Sequence, residues 1–336
     1  MARLAVGAAL LAGLLAPVAA GCGGGDKASS ADLSFAAVIK GLDNPFFVTM
    51  RQGLEQRARD RRIALSIRTA GDLYDTAGQA SRLEAAVSEG ADCYIVNPIT
   101  RANLVEPLSH VDGGTPIVNL DSPVDQVAAK AVGVEIATYI GTDNTAGGSL
   151  GADAMTRAVP AGAQVVLVTG VPGDATSAAR ARGFRAGNRG RFRIVDSVAA
   201  DFERRRAELT AAELLRTDPG IDGFFAVNDE MALGIVDALR KTGKTGEVAV
   251  VGFDGIRPAL AAVKRGSLTA TVSQYPYAMG RQAVDACLAA VRGNSLPADV
   301  AAPAQVVTRA NVARALAKFP HPVEPFHDPL SELLED

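Results

Sequence analysis

The chain has 336 residues, 48% hydrophobic, 21% charged and 5% aromatic. A single core rarely grows past about 250–300 residues, so two domains are expected, and the apolar share excludes wholesale disorder. Lys and Arg number 34 against 37 Asp and Glu, a net charge of −3, which excludes nucleic acid or an anionic surface as the main partner.

The elements begin with Met1-Ala-Arg3 and the uncharged run Leu4–Ala20, which ends in Val18-Ala-Ala-Gly21-Cys22. A charged start, an apolar stretch and small residues before a cut describe an export signal. The ending is similar to a bacterial lipoprotein signal, which implies a signal peptide over 1–21 and a lipid on the Cys22 thiol. Residues 22–32, rich in Gly and Ser, read as a flexible tether. The expected location is extracytoplasmic, in the periplasm or on the outer face of the cell membrane, with the lipid as sole membrane contact. Cys93 lies in the apolar run Cys93-Tyr-Ile-Val96, so a buried free thiol is the default reading, with pairing to Cys287 left open.

From Leu33 the chain alternates short β-branched runs with Ala-rich stretches of helical period. Strands are predicted over 33–40, 63–69, 92–97, 116–120, 164–169, 193–197, 223–227, 248–252 and 268–274. Helices are predicted over 45–61, 76–89, 145–159, 207–216 and 231–241, with Pro45 at an N1-like position and Asp229 as a cap. Repeated strand–helix–strand units favour parallel sheets covered on both faces, and Gly141–Asn144 divides the body into two α/β halves. The last stretch, 315–336, is acidic and Pro-rich and reads as a solvated extension.

Polar residues collect where strands end: Lys40, Asn97, Asp121, Asn228, Asp254 and Gln274. In open α/β sheets ligands bind beyond the carboxyl ends of the strands. Carboxylates, amides and one ammonium suit a neutral, hydroxyl-rich molecule, because a hydroxyl both donates and accepts. Phe46, Phe47 and Phe202 offer flat surface for the C–H faces of a sugar ring.

These residues resemble the ribose-, allose- and galactose-type sugar-binding lipoproteins of ABC importers, from Leu33 to about Arg309. Leu42-Asp-Asn-Pro-Phe-Phe47 looks like the opening aromatic motif, and Asn119-Leu-Asp121 like the second ligand motif. Thr176-Ser-Ala-Ala-Arg180-Ala-Arg182-Gly183 is similar to the segment whose second arginine, here Arg182, binds sugar. Asp201-Phe202, Phe225-Ala-Val-Asn228, Val251-Gly-Phe-Asp254 and Ser273-Gln274 complete the pattern. Lys40 and Thr142-Asp-Asn144 look more like the allose type, and Ser122 stands where ribose-type members have arginine, which leans toward a hexopyranose, ketose or polyol.

The resemblance implies a type I periplasmic binding protein fold: α/β, with two doubly wound parallel-sheet lobes joined by a three-strand hinge. The N-terminal lobe would span 33–142 plus 275–303 and the C-terminal lobe 143–274 plus 304–314. The implied ligand set is Lys40, Asn44, Phe46, Phe47, Asp121, Arg182, Phe202, Asn228, Asp254 and Gln274. A monomer is expected that closes its lobes on a monosaccharide (pentose, hexose or polyol) and presents itself to an ABC permease. The alternative is a sugar sensor that presents the bound form to a chemoreceptor or sensor kinase.

Two other classes fit poorly. A lactose-repressor-type regulator would need a basic helix-turn-helix where the apolar signal and tether stand. For an enzyme, no GxGxxG follows a first strand, and Gly243-Lys-Thr245 lacks the first glycine of a phosphate loop. Gly147-Gly-Ser149-Leu-Gly151 matches GxSxG but lies in a predicted helix. Outside the tail, His110 is the one histidine available as a base, so neither a triad nor a zinc site is expected, nor any cofactor.

Overall fold

The computed structural model describes Met1 and residues 33–334, so the signal, the tether and Cys22 lie outside the described residues. The first half runs β1 (Ser34–Ile39), α1 (Pro45–Arg61), β2 (Ala64–Thr69), α2 (Thr76–Glu89), β3 (Cys93–Val96), α3 (Val105–Leu108), β4 (Ile117–Leu120), α4 (Gln126–Ala131) and β5 (Thr138–Thr142). The second half repeats the plan with α5 (Asn144–Ala158), β6 (Gln164–Thr169), α6 (Ala175–Gly187), β7 (Arg193–Ala199), α7 (Arg204–Thr217), β8 (Gly223–Ala226), α8 (Asp229–Lys241), β9 (Ala249–Asp254), α9 (Arg257–Arg265) and β10 (Ala270–Ser273). It continues through α10 (Pro276–Val291), β11 (Asp299–Ala302), β12 (Gln305–Thr308), α11 (Val312–Lys318) and α12 (Pro329–Glu332).

One sheet has the order β11-β5-β4-β3-β1-β2 and the other β12-β10-β9-β8-β6-β7. All pairings are parallel except β10 with β12. Each sheet is the same doubly wound pattern, its order reversing beside its first strand, and this is where such sheets leave a crevice. Helices cover both faces, so β3, β4, β8 and β10 are buried along their whole length. That burial is why central strands read as unbroken apolar runs. The chain passes between sheets after β5, after β10 and between β11 and β12.

Three expectations are corrected here. Cys93 on β3 and Cys287 on α10 form a disulfide, pinning α10 to the middle of the first sheet. The cap of α8 is Asn228, whose Oδ1 accepts the Met231 N–H at 2.9 Å, while Asp229 is the first helical residue and turns inward. Residues 315–334 are not a solvated extension. α11 packs on α9, and the chain then returns to the first lobe, where α12 packs on α10. Leu330 is 0% exposed and Val323 1%. Asn294 Nδ2 donates to the Leu333 carbonyl at 2.8 Å and Gln282 Nε2 to Asp328 Oδ1 at 3.1 Å. The acidic composition masked a spaced set of apolar anchors that makes a fourth link between the lobes.

The GxSxG match is a helix seam. A Cβ on Gly148 would stand 2.1 Å from the Arg180 carbonyl oxygen, and one on Gly183 2.0 Å from that of Thr145. Only glycine permits α5 and α6 to approach this closely, and the seam fixes the position of Arg180. Ser149 Oγ donates across it to the Gly183 carbonyl at 3.1 Å. His110 is exposed, with its side chain near Glu106.

Candidate functional site

The first lobe supplies its polar groups from the ends of β1 and β4 and the start of α1. Lys40 directly follows β1, is buried, and donates from Nζ to Ser122 Oγ at 2.7 Å, with the ammonium 5.6 Å from the centre of the Phe47 ring. Asn44 caps α1, its Oδ1 accepting the Phe46 N–H at 2.9 Å, which leaves Nδ2 as its donor toward a ligand. Pro45 then occupies the first helical turn, and Phe46 and Phe47 follow edge-to-face with ring centres 5.2 Å apart. Asp121 sits just past β4 with φ of 62°, held by Tyr139 Oη, which donates to its carbonyl at 2.6 Å. Burial raises the Asp121 carboxyl above the usual range, against the pull of Lys40 and Arg180.

The second lobe answers with Arg180, Asn228, Asp254 and Phe202. Arg180 is held by three hydrogen bonds: Nε to Asn144 Oδ1 at 2.7 Å, and Nη1 to the Val227 carbonyl at 2.8 Å and to Asp254 Oδ1 at 3.2 Å. Its guanidinium lies 4.0 Å over the Phe253 ring, leaving Nη2 for a ligand. Asp254 ends β9 with φ of 121° and also accepts from Gln274 Nε2 at 2.8 Å. Burial pushes its carboxyl up to about 6, with Arg180 and Gln274 opposing. Beneath it, Asp229 Oδ2 accepts the Gly255 and Ile256 N–H groups at 2.7 and 2.9 Å, and its Oδ1 accepts from Thr271 Oγ1. That buried brace sets the turn that aims Asp254, and burial beside Asp254 raises its own pKa. Asn228 Nδ2 reaches the Phe202 carbonyl at 3.4 Å. The Phe202 ring packs over Gly170, where a Cβ would come within 2.2 Å of it.

Asp121, Asp201, Phe202 and Asp254 all have positive φ, between 55° and 121°. Such conformations cost of order 1–3 kcal/mol each and cluster where geometry serves a ligand. Here all four lie at or beside the cleft.

Eight of the ten residues expected at the site line one small cavity between the lobes: Lys40, Asn44, Phe46, Phe47, Asp121, Phe202, Asn228 and Asp254. Arg182 does not join them. It is exposed, and Arg180 takes its place. Two residues along a helix turn the side chain by about 200°, so the two arginines cannot share a face. The signal was present: Ser177, Arg180, Ala181 and Phe184 form a buried stripe at helical spacing from which Arg182 is absent. Gln274 stands behind the cavity, holding Asp254. Ser122, Thr176 and Leu73 also line the space; Thr176 opens the arginine motif without a ligand role assigned to it, and Leu73 lies in no motif.

Two carboxylates face two cations, so the cavity is close to neutral and poorly suited to an anion. It offers acceptors and donors from both lobes and an aromatic floor. Among the described residues no group of three or more His, Cys, Asp or Glu is placed to hold a metal ion, and no helix is long and apolar enough to cross a membrane.

Two doubly wound lobes enclosing a small polar cavity at the carboxyl ends of both sheets define a binding protein for a small solute. Residues 35–295 match the model of the periplasmic binding protein domain, and the chain belongs to that family, whose members bind solutes rather than transform them. It is 32% identical over 274 residues to the D-allose-binding periplasmic protein of Escherichia coli, covering 80% of this chain and 88% of that one. It is 31% identical over 272 residues to the ribose import binding protein RbsB of Bacillus subtilis, covering 81% and 86%. Among solved structures, an ABC transporter periplasmic solute binding protein from Actinobacillus succinogenes with bound D-allose superposes with a TM-score of 0.80 at 30% identity, covering 84% of this chain and 99% of that one.

Proposed function

We propose that the protein captures a monosaccharide or related polyol in the interlobe cavity and delivers it to an ABC permease. The observation that carries this reading is the pairing of Asp121 from one lobe with Asp254 from the other across a single buried cavity, each beside a cation. A hydroxyl-rich ring satisfies both carboxylates at once, while Lys40, Asn44 and Arg180 donate to its oxygens. Charge-assisted hydrogen bonds of this kind contribute roughly 1.5–3 kcal/mol each. Ligand contacts on both sides favour the closed arrangement, with 33–142 plus 275–303 moving against 143–274 plus 304–314. The ribose and D-allose named for the relatives set the ligand class, and Lys40 hydrogen-bonded to Ser122 leans toward the allose type.

The protein works outside the cytoplasm as a monomer, tethered by a lipid on Cys22. Calorimetric titration of stripped protein with D-ribose, D-allose, D-galactose, xylitol and myo-inositol tests the reading. Saturable one-to-one binding of at least one is expected, and binding of none contradicts it.

A further inference from the structure

A second chamber of about 420 Å³ adjoins the sugar cavity. The two share Lys40, Leu73, Ser122, Thr176 and Phe202, so they form one continuous space. The outer chamber differs in chemistry. Ile99, Ala102 and Pro123 wall it from the first lobe, and Val171, Pro172 and Ala175 from the second. Its one carboxylate, Asp174, is already committed, capping α6 and accepting from Thr176 Oγ1 at 2.6 Å.

The chamber does not arise from parted lobes. Tyr74 Oη on the first lobe donates to Glu203 Oε1 on the second at 2.7 Å, a contact that exists only when the cleft is shut. The Arg180 guanidinium of the second lobe is also near enough to lower the Asp121 carboxyl of the first. With the lobes touching, the inner cavity is lined mostly by buried residues while the outer chamber stays wide. A free monosaccharide fills the inner cavity and leaves the chamber to water. Thr76, Thr100 and Arg101 add polar groups at its edge, but the exposed wall is mainly apolar, which favours an apolar group over a second sugar unit. Weakly held water is favourably displaced by an apolar group.

We propose that the site accepts a glycoside, its sugar in the inner cavity and an apolar or aromatic aglycone in the outer chamber; this rests on the sugar-binding reading above. The exit runs past Ser122 and Thr176, where the two spaces meet. At about 420 Å³ the chamber lies within the size range of pockets that hold drug-sized ligands, about 300–1,000 Å³.

The test titrates stripped protein with D-ribose, D-allose and D-galactose and with the α- and β-methyl and phenyl glycosides of each. For a sugar that binds, one phenyl glycoside is expected to bind at least tenfold tighter than its methyl counterpart. Ala102→Trp and Ala175→Trp, which fill the chamber without touching the inner cavity, should each erase that gain and leave the free sugar's Kd within threefold. Free sugar that binds while phenyl glycosides are excluded or gain nothing overturns the inference alone, as does a gain that survives both substitutions. No binding by any free sugar or glycoside overturns it together with the sugar-binding reading.

Discussion

Arg180→Met removes the cation on which the second half of the site depends. The change strands the Val227 carbonyl, Asn144 Oδ1 and Asp254 Oδ1, which now accept at 2.8, 2.7 and 3.2 Å. Breaking a buried ion pair on one side costs about 3–5 kcal/mol, because the remaining charge has nothing to offset it. Asp254 has a way out of part of that cost. Its carboxyl already stands near 6, so loss of Arg180 leads it to take up a proton near neutrality. The destabilisation should therefore be largest near pH 8 and smaller at pH 5, where the wild-type carboxyl is also protonated. Binding suffers separately, since the Nη2 donor and the ionised acceptor disappear together. One charge-assisted bond of about 1.5–3 kcal/mol corresponds to a Kd raised roughly 10- to 150-fold. Urea titration gives the stability and calorimetry the Kd. Arg180→Lys, which keeps the charge but not the fork, should fold better and bind with intermediate affinity. Arg182→Met is the control: an exposed change of this kind stays within about 0.5 kcal/mol in stability and should leave Kd unchanged. Tenfold weaker binding in Arg182→Met, with normal binding in Arg180→Met, would refute the assignment.

Other outcomes follow from the same geometry. Sugar affinity should fall as the pH drops through about 6, because a protonated Asp254 no longer accepts from two hydroxyls; titrations between pH 4 and 8 check this. The empty protein behaves oppositely: its Asp254 pKa lies above the ordinary 3.8, so the folded state holds the proton longer, and this contribution to stability is lost as pH rises through about 6. Replacing both Cys93 and Cys287 by Ala should cost about 2–5 kcal/mol in urea titration, since the bond closes a loop of 194 residues in the unfolded chain. Leu330→Ala should cost about 2–4 kcal/mol and Glu332→Ala almost nothing; equal, negligible effects would mean the segment is solvated after all.

The parts of the fold that were legible are those where burial acts on contiguous residues. Cys93-Tyr-Ile-Val96 and Phe224-Phe-Ala-Val227 read as strands because helices cover both their faces, and the polar residues after them mark where the sheet stops and the cleft begins. β5, β11 and β12 carry no such run. They are short edge or crossover pieces whose strand state comes from pairing with the rest of a sheet. The disulfide was open in sequence because its partners meet only once α10 has packed against the first sheet. At the site, residues fixed by a strand end or a helix start, such as Asp121, Asn44 and Asp254, were readable. Arg180 was legible only through the helical spacing of Ser177, Ala181 and Phe184, which the motif's second arginine overrode; the glycine seam with α5 fixes that rotation of α6. The C-terminal segment shows the limit of composition: its charges are real, yet Val323 and Leu330 decide where it goes.

The most direct measurement is a crystal structure of the protein with a sugar bound at saturation. The account predicts one compact ligand between the lobes, with hydroxyls within hydrogen-bond distance of both Asp121 and Asp254 and a donor contact from Arg180. A ligand held by one lobe alone, or a cavity left empty while the sugar sits elsewhere, would contradict it.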